Sequence, residues 1–325
     1  MKSWWIRGAG GKLVLELRDA PDPEPKPGEL LVRARAASLN RVEFIAPLGP
    51  HAAAAEAKPA GQECSGEVLE AGDGVTGVAP GDRVMGRARG AFAELAIMHA
   101  REAMAIPARL SWEEAASVPL VFLVSYDMLY PGGDLKPGEW LLVTGVSSGV
   151  GVASLQTAKV IGASVIGTSG SAAKLDRLKA LGLDVGVQGR GGGFLDAALK
   201  ATGGKGVDLV VNNVGGTVFA ECLRALAYQG RLATVGYLDR TMTSEIDLDA
   251  LHSKRLRVFG VSNKLRTAAQ RAETVRGFAR DVLPAFADGR IRPLVDKVFG
   301  FAALPAAQAY MESDAQLGKI AVRVD

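Results

Sequence analysis

The sequence predicts an α/β protein with a doubly wound parallel sheet set within β-rich segments, and three observations lead there. First, an apolar run at Trp140–Val143 reads as a buried strand. It is followed by a turn carrying Gly145, Gly149 and Gly151, a helical pattern from Val152 to Ile161, and a second apolar run at Ala163–Gly167. Second, four further short apolar runs (Val185–Val187, Val207–Val211, Arg231–Val235 and Leu256–Val261) alternate with helical stretches at Ala172–Leu181, Phe194–Ala201 and Val218–Leu226. Strands alternating with helices make a parallel sheet with helices on its faces. Third, the first hundred residues alternate apolar and polar side chains at the strand period, as at Val32, Ala34 and Ala36 against Arg33 and Arg35.

Taken in order, Leu13–Leu17, Leu30–Ala36, Glu67–Glu70, Asp82–Met85 and Ala91–Met98 are expected as strands. The proline-rich stretch Pro21–Pro27 is a stiff connector, since proline lacks the donor a central strand needs. The alanine-rich stretch His51–Ala57, followed by Pro59, fits either a short helix or a flap. Ser111 and Glu114 have the spacing of a capping box, where the pattern turns from strands to helices. Ala268–Ala287 reads as one long amphipathic helix stopped at Asp288-Gly289. Ile291–Val298, Leu304–Met311 and Lys319–Val324 are the last apolar segments. The boundaries drawn from this are 1–120, 121–263 and 264–325.

With 325 residues, 22% charged and 48% hydrophobic, the chain has the composition of a soluble globular enzyme. A net charge of +3 with dispersed basic residues argues against nucleic acid or a membrane surface as partner. No apolar run reaches the length of a membrane span, and the N-terminus turns to Arg7 and glycine too early for a signal peptide. Cys64 and Cys222 are the two cysteines, which excludes a disulfide framework and points to a reducing, cytoplasmic setting.

The glycine turn is where chemistry enters. Glycines there let a pyrophosphate approach backbone N–H groups at a helix N-terminus, so the turn Ser147–Gly151, with Ser148, Gly149 and Val150, predicts a dinucleotide and hydride chemistry. Val146 and Ser148 stand at the first two glycine positions of the strict fingerprint, so the turn by itself is a weak signal and the alternating strands strengthen it. Ser147 or Ser148 can donate to a phosphate, and a plain helix N-cap is the compatible simpler role. Past the second strand, at Ser169 and Ser171, no acid stands where an NAD-specific site grips the ribose 2′-OH; the first is Asp176. Asn213 and Gly236-Tyr237 close the fourth and fifth strands, at the carboxyl ends where open parallel sheets bind ligands.

Ordered blocks run the whole chain: Gly61-Gln-Glu-Cys-Ser-Gly66, Gly74-Val-Thr-Gly77 with Pro80-Gly-Asp-Arg-Val84, Leu135-Lys-Pro-Gly-Glu139, Thr202-Gly-Gly-Lys-Gly-Val-Asp208, Val214-Gly-Gly216 and Gly289-Arg-Ile-Arg-Pro293, followed by Met311-Glu-Ser313 and Gly318-Lys-Ile320. Together they resemble the medium-chain dehydrogenase/reductase superfamily, in its zinc-independent quinone oxidoreductase branch, and Arg290–Ile320 is most similar to the PIG-type subgroup. The resemblance implies a Rossmann domain inserted in a barrel-like, GroES-like catalytic domain that the C-terminal tail completes. It also marks departures. Gln62 stands where zinc-dependent members carry a histidine, Asn40–Glu43 offer no cysteine, and the four-cysteine structural lobe is missing; zinc is therefore not expected. Without a Lewis acid, reduction of an electrophilic acceptor is favoured over alcohol oxidation.

The resemblance further implies site roles. Asn40 ends a strand at the catalytic cleft and can donate to an acceptor oxygen; its plainer role is an Asx turn. His51 stands at a family tyrosine position, or is simply solvated. Tyr126 and Phe122 enter the cofactor domain four residues apart, as site aromatics or as one packed helix face. Ser125 stands near a family threonine at the nicotinamide end. Lys174 stands where relatives meet the 2′-phosphate, so NADPH is the expected cofactor, with Arg190 as a second candidate cation. Ser262-Asn263 stand where the backbone meets the carboxamide, and Lys319 faces the cofactor or is a rim charge. Glu63 is expected to pair with a base or backbone group, and Cys64 to pack as a small hydrophobe. The reaction expected is hydride transfer from NADPH to a quinone or other α,β-unsaturated carbonyl acceptor. The alternatives are an enoyl thioester or enal reductase, a non-catalytic crystallin-like NADPH-binding protein and, against its weak charge and few aromatics, a single-strand nucleic-acid binder. A homodimer is expected along the apolar edge strand 256–261.

Overall fold

The computed structural model describes residues 1–9, 12–44 and 56–324. Two compact units emerge: residues 1–120 with 275–325, and residues 121–274.

The first unit is built on two sheets. One pairs β1 (Lys2–Ala9) with β2 (Lys12–Asp19) and β4 (Lys58–Pro59). The other is six-stranded: β14 (Val295–Gly300), β15 (Lys319–Arg323), β3 (Glu29–Ser38), β5 (Glu63–Ala71), β6 (Arg83–Arg89) and β7 (Leu95–Ala105), and β3 also pairs with β7, which curls the sheet. β3 alternates buried and half-buried residues at its start and is buried throughout at Ala36–Ser38, where it passes between β5 and β15. Trp4, Leu30, Val32, Phe92, Met98 and Ile320 belong to its hydrophobic core. The capping box is present: the Ser111 hydroxyl accepts from Glu114 N and the Glu114 carboxylate accepts from Ser111 N, opening α1 (Trp112–Ala116).

The second unit is a parallel six-stranded sheet of β8 (Trp140–Thr144), β9 (Ser164–Ser169), β10 (Val185–Gln188), β11 (Val207–Asn212), β12 (Leu226–Thr234) and β13 (Arg257–Gly260), in the order β10-β9-β8-β11-β12-β13. This is the doubly wound fold the sequence predicts. The near-continuous burial of β8, β9 and β11 is that of strands covered on both faces. The helices are α2 (Pro119–Asp127), α3 (Gly149–Ile161), α4 (Ala172–Lys179), α5 (Leu195–Ala201), α6 (Gly216–Ala225) and α7 (Leu248–Ser253). Arg231, 9% exposed, donates to the Gly133, Asp134 and Asp208 carbonyls and to Glu139, clamping the start of β8 to β11 and β12.

Four expectations are corrected. β1 was not foreseen: its tryptophans and isoleucine are followed by glycines that hide the strand period. The strand expected at Ala91–Met98 lies at Leu95–Ala105, because 91–94 bend away to β1, where Ala93 makes a single antiparallel bridge to Ser3. The strand expected at Arg231 begins at Leu226 and ends α6 one residue early. The long helix at Ala268–Ala287 is two, α8 (Ala268–Asp281) and α9 (Leu283–Ala287), broken at Val282 because Pro284 cannot donate within a continuing helix. Of the last segments, Leu304–Glu312 is a helix, α10.

Candidate active site

The candidate site residues fall into two groups, one in each unit. In the second unit the glycine turn is bound to the end of β9: Gly145 N donates to Thr168 Oγ1 at 3.1 Å and Val146 N to the Thr168 carbonyl at 2.8 Å. Ser148 caps α3, accepting from Gly151 N at 3.1 Å. Gly151 tolerates no side chain, because a Cβ there would stand 2.5 Å from the Gly145 carbonyl oxygen. The helix N-terminus is thereby pressed against the turn, with no acid in its first turn to oppose an anion.

At the end of β9 the Ser147 and Ser169 hydroxyls meet at 3.0 Å, Ser171 N donates to Ser169 Oγ, and Ser171 caps α4 by accepting from Lys174 N. The first turn of α4 also lacks an acid. Gly189 N donates to the Ser169 carbonyl at 2.9 Å, which brings the next residue back over the strand end. A Cβ on Gly170 would lie 2.7 Å from Arg190 Nε, so the arginine chain rests on that glycine. Ser169, Ser171, Lys174 and Arg190, placed on three separate segments, thus converge around the end of one strand. Arg190 was the weaker sequence candidate, since Gly191–Gly193 leave its loop unconstrained in the sequence. The loop is in fact tied by Glu221, which accepts from Gly193, Phe194 and Leu195 N.

Asn213 is buried and spends its amide on the Thr144 carbonyl at 2.9 Å, while its N donates to Thr144 Oγ1. Asn212 Oδ1 accepts from Thr144 Oγ1, Val214 N and Gly215 N. Sequence reasoning missed Thr144 and Asn212; they lock the carboxyl ends of β8 and β11, and Asn213 helps shape that rim from behind. It also missed Asp239, which accepts from Thr217 and Thr241; those bonds hold its carboxyl below the usual range despite partial burial. Gly236 closes over the Asn213 carbonyl, Tyr237 is half exposed, and the Ser262 hydroxyl accepts from Lys264 N within the turn that also holds Asn263. Ser125 is fully buried and meets Ser154 of α3 at 2.6 Å, so its hydroxyl serves helix packing. Tyr126, 7% exposed, stacks on Tyr130 with centroids 4.9 Å apart. Tyr126 and the buried Phe122 lie one turn apart on α2, and Tyr130 lies in the π-helical turn Met128–Gly132 that follows it.

In the first unit, Asn40 follows β3 and opens a short 3-10 turn at Arg41–Phe44. Its Nδ2 donates to Glu63 Oε1 at 2.8 Å and to Glu43 Oε1 at 3.0 Å, and its Oδ1 accepts from Lys319 Nζ at 2.8 Å. Lys319 Nζ also donates to the Leu39 carbonyl and, at 2.9 Å, to Glu63 Oε1. Glu63 is completely buried; it accepts from Ser38 Oγ, and its Oε2 accepts from Leu120 N at 2.7 Å. The rim-charge reading of Lys319 fails: the residue is 5% exposed and its ammonium is enclosed with Glu63. Burial pushes the Cys64 thiol up to about 12, so it is an inert hydrophobe. His51 lies outside the described residues.

The two units match two family profiles. Residues 26–108 match "Alcohol dehydrogenase GroES-like domain" and residues 149–275 match "Zinc-binding dehydrogenase". The residues present do not fit zinc: among those described, no three His, Cys, Asp or Glu gather, Glu63 already holds an ammonium, and Cys64 keeps its proton. The chain is 33% identical over 325 residues to the spectinabilin polyketide synthase system protein NorB of Streptomyces orinoci, covering 98% of this chain and 14% of that protein. It is 29% identical to acryloyl-coenzyme A reductase of Metallosphaera sedula, covering 96% and 97% respectively. The chain spans 14%, 5% and 6% of the length of the first polyketide synthase proteins it matches. Among solved structures, an NAD-dependent alcohol dehydrogenase is 30% identical with a TM-score of 0.87, and Escherichia coli quinone oxidoreductase complexed with NADPH is 26% identical with a TM-score of 0.85; each alignment covers 100% of both chains. A GroES-like unit, a parallel Rossmann sheet with its glycine turn, and these likenesses along the full chain place the protein in the medium-chain dehydrogenase/reductase superfamily of oxidoreductases.

Proposed function

We propose that the protein is an NADPH-dependent reductase of quinones or other α,β-unsaturated carbonyl compounds. The observation that carries the cofactor choice is the end of β9. Hydroxyls of Ser169 and Ser171, with Lys174 and Arg190, gather there, and no carboxylate stands where a ribose 2′-OH would be gripped. Cations and hydroxyls suit a 2′-phosphate; an acid would repel it. The turn at Ser147–Gly151 and the α3 N-terminus would hold the pyrophosphate. Bound there, NADPH would supply a hydride, two electrons with one proton, to the acceptor, and a solvent proton would complete the product. On the acceptor side the chain offers Asn40 at the end of β3, braced by Glu43, Glu63 and Lys319, whose donors are spent on one another and would shape the wall facing a carbonyl. Likeness to the NADPH-complexed quinone oxidoreductase supports this reading.

A second reading, an enoyl thioester reductase, is favoured by the acryloyl-coenzyme A reductase and polyketide synthase relatives. Steady-state rates with 1,4-benzoquinone, 9,10-phenanthrenequinone, an enal and crotonyl thioester, each with NADPH and NADH, separate the two. Turnover of quinones with NADPH supports the first, and a thioester preference the second. Binding of NADPH with no acceptor reduced would leave a non-catalytic binding protein. Equal or better use of NADH would sink the cofactor assignment.

A further inference from the structure

We propose that Glu43 is a positioning residue that works as a neutral carboxylic acid, holding the Asn40 side chain in place at the acceptor end. Its catalytic half rests on the reductase reading above; its protonation half does not.

The case is a count of charges and donors. Lys319 has three ammonium hydrogens, and they go to the Leu39 carbonyl, Asn40 Oδ1 and Glu63 Oε1. Asn40 has two amide hydrogens, and they go to Glu63 and Glu43. Glu63 takes the ammonium, the Ser38 hydroxyl, the Asn40 amide and the Leu120 N–H, which is what a buried carboxylate needs. One cation and one anion are therefore matched. Glu43 receives a single neutral amide hydrogen on Oε1, and its Oε2 is buried without a hydrogen-bond partner. On its own turn, the Arg41 guanidinium is directed to the Met311 carbonyl and Asp314. From β5 it faces Glu63, with the neutral Cys64 beyond, and from β15 the committed Lys319. An ionised Glu43, half-buried with its Oε2 shut off from solvent, would be a second anion beside Glu63, competing with it for the Asn40 amide.

Burial, with a smaller contribution from Glu63, pushes the Glu43 carboxyl from 4.5 up to about 8, against the opposing pull of Asn40 and Lys319. The native state then keeps a proton that the unfolded chain releases. Between pH 4.5 and about 8 the unfolded state binds fewer protons, so stability falls as pH rises and levels off above that window. An amide at this position has no such loss.

Two measurements on wild type and Glu43→Gln test this. The first is thermal melting from pH 5 to pH 9. The variant's melting temperature, relative to wild type, should rise steadily up to about pH 8 and then hold. A constant gap overturns the neutral acid. The second is kcat/KM for the acceptor with NADPH, normalised to each protein's own value at pH 7. Wild type should lose about tenfold per pH unit above pH 8, and Glu43→Gln should stay flat there. Coincident profiles overturn the positioning role even if the melting result holds. A wild type that reduces no acceptor overturns the reductase reading and the positioning role with it, and the melting comparison still decides the protonation state.

Discussion

At the residue scale, the proposed cofactor choice turns on the charges at the end of β9. Lys174 sits in the first turn of α4, beside a cap made by Ser171, and Arg190 lies over Gly170. Lys174→Ala is expected to weaken NADPH binding by about 1–2 kcal/mol, the size of one charge-assisted hydrogen bond, and to leave NADH nearly unchanged. Titration calorimetry with both nucleotides checks it; equal losses would move the lysine away from the 2′-phosphate. Lys319 follows a different logic. Its Coulomb partner is fully buried, so Lys319→Met leaves Glu63 an unpaired buried anion and should destabilise the protein by about 3–5 kcal/mol in urea unfolding at pH 7. A loss under 1 kcal/mol would mean that water reaches Glu63 once the lysine is gone.

At the element scale, the start of α3 and the sheet it rests on are held by contacts that allow little change. Gly151→Ala would place a methyl 2.5 Å from the Gly145 carbonyl, so α3 must shift away from the turn that holds its N-terminal N–H groups. We expect at least tenfold weaker NADPH binding with far-ultraviolet circular dichroism unchanged; intact binding would show that helix and turn move together. Arg231 ties its own strand to three other chain segments at once. Such ties are local in space and distant in sequence, which is why the second half of the strand Leu226–Thr234 is legible by pattern while its start and the clamp at its middle are not.

For the whole molecule, the edge of the parallel sheet is the open question of assembly. β13 ends the sheet, and Val258 on it is 41% exposed. A free parallel-sheet edge of this kind is an aggregation hazard unless covered, and two-fold pairing covers it. We propose a homodimer joined along β13. Val258→Pro should yield monomers or aggregates, since proline clashes with regular pairing. Light scattering that finds the unmodified protein monomeric at micromolar concentration would refute the pairing. Among the described residues no helix is long and apolar enough to cross a membrane.

The fold was legible because its signals are periodic and local. The apolar runs of β8, β9 and β11, the glycine turn and the Ser111–Glu114 box each act within a few residues, and these form where expected, whereas the run at Ala91 and the helix at Ala268–Ala287 do not. The nucleotide-side residues were legible for a related reason: they follow strand ends, and topology carries every strand end of a parallel sheet to one rim. The acceptor-side cluster was not. Asn40, Glu63 and Lys319 were singled out for separate reasons, and Glu43 only as part of a stretch lacking a thiolate. Only the pairing of β3 with β5 and β15 brings them together. The count of protons and donors among them depends on which groups are buried side by side, and no local pattern encodes that. The same holds for Ser125 and Tyr126, whose place at the glycine-turn helix or against Tyr130 is a matter of packing. By itself the sequence determined the architecture and the dinucleotide turn, because these follow from period and backbone freedom. Tertiary structure alone decided which polar groups share the Glu63–Lys319 cluster, because that depends on solvent exclusion and on partners more than 200 residues apart along the chain.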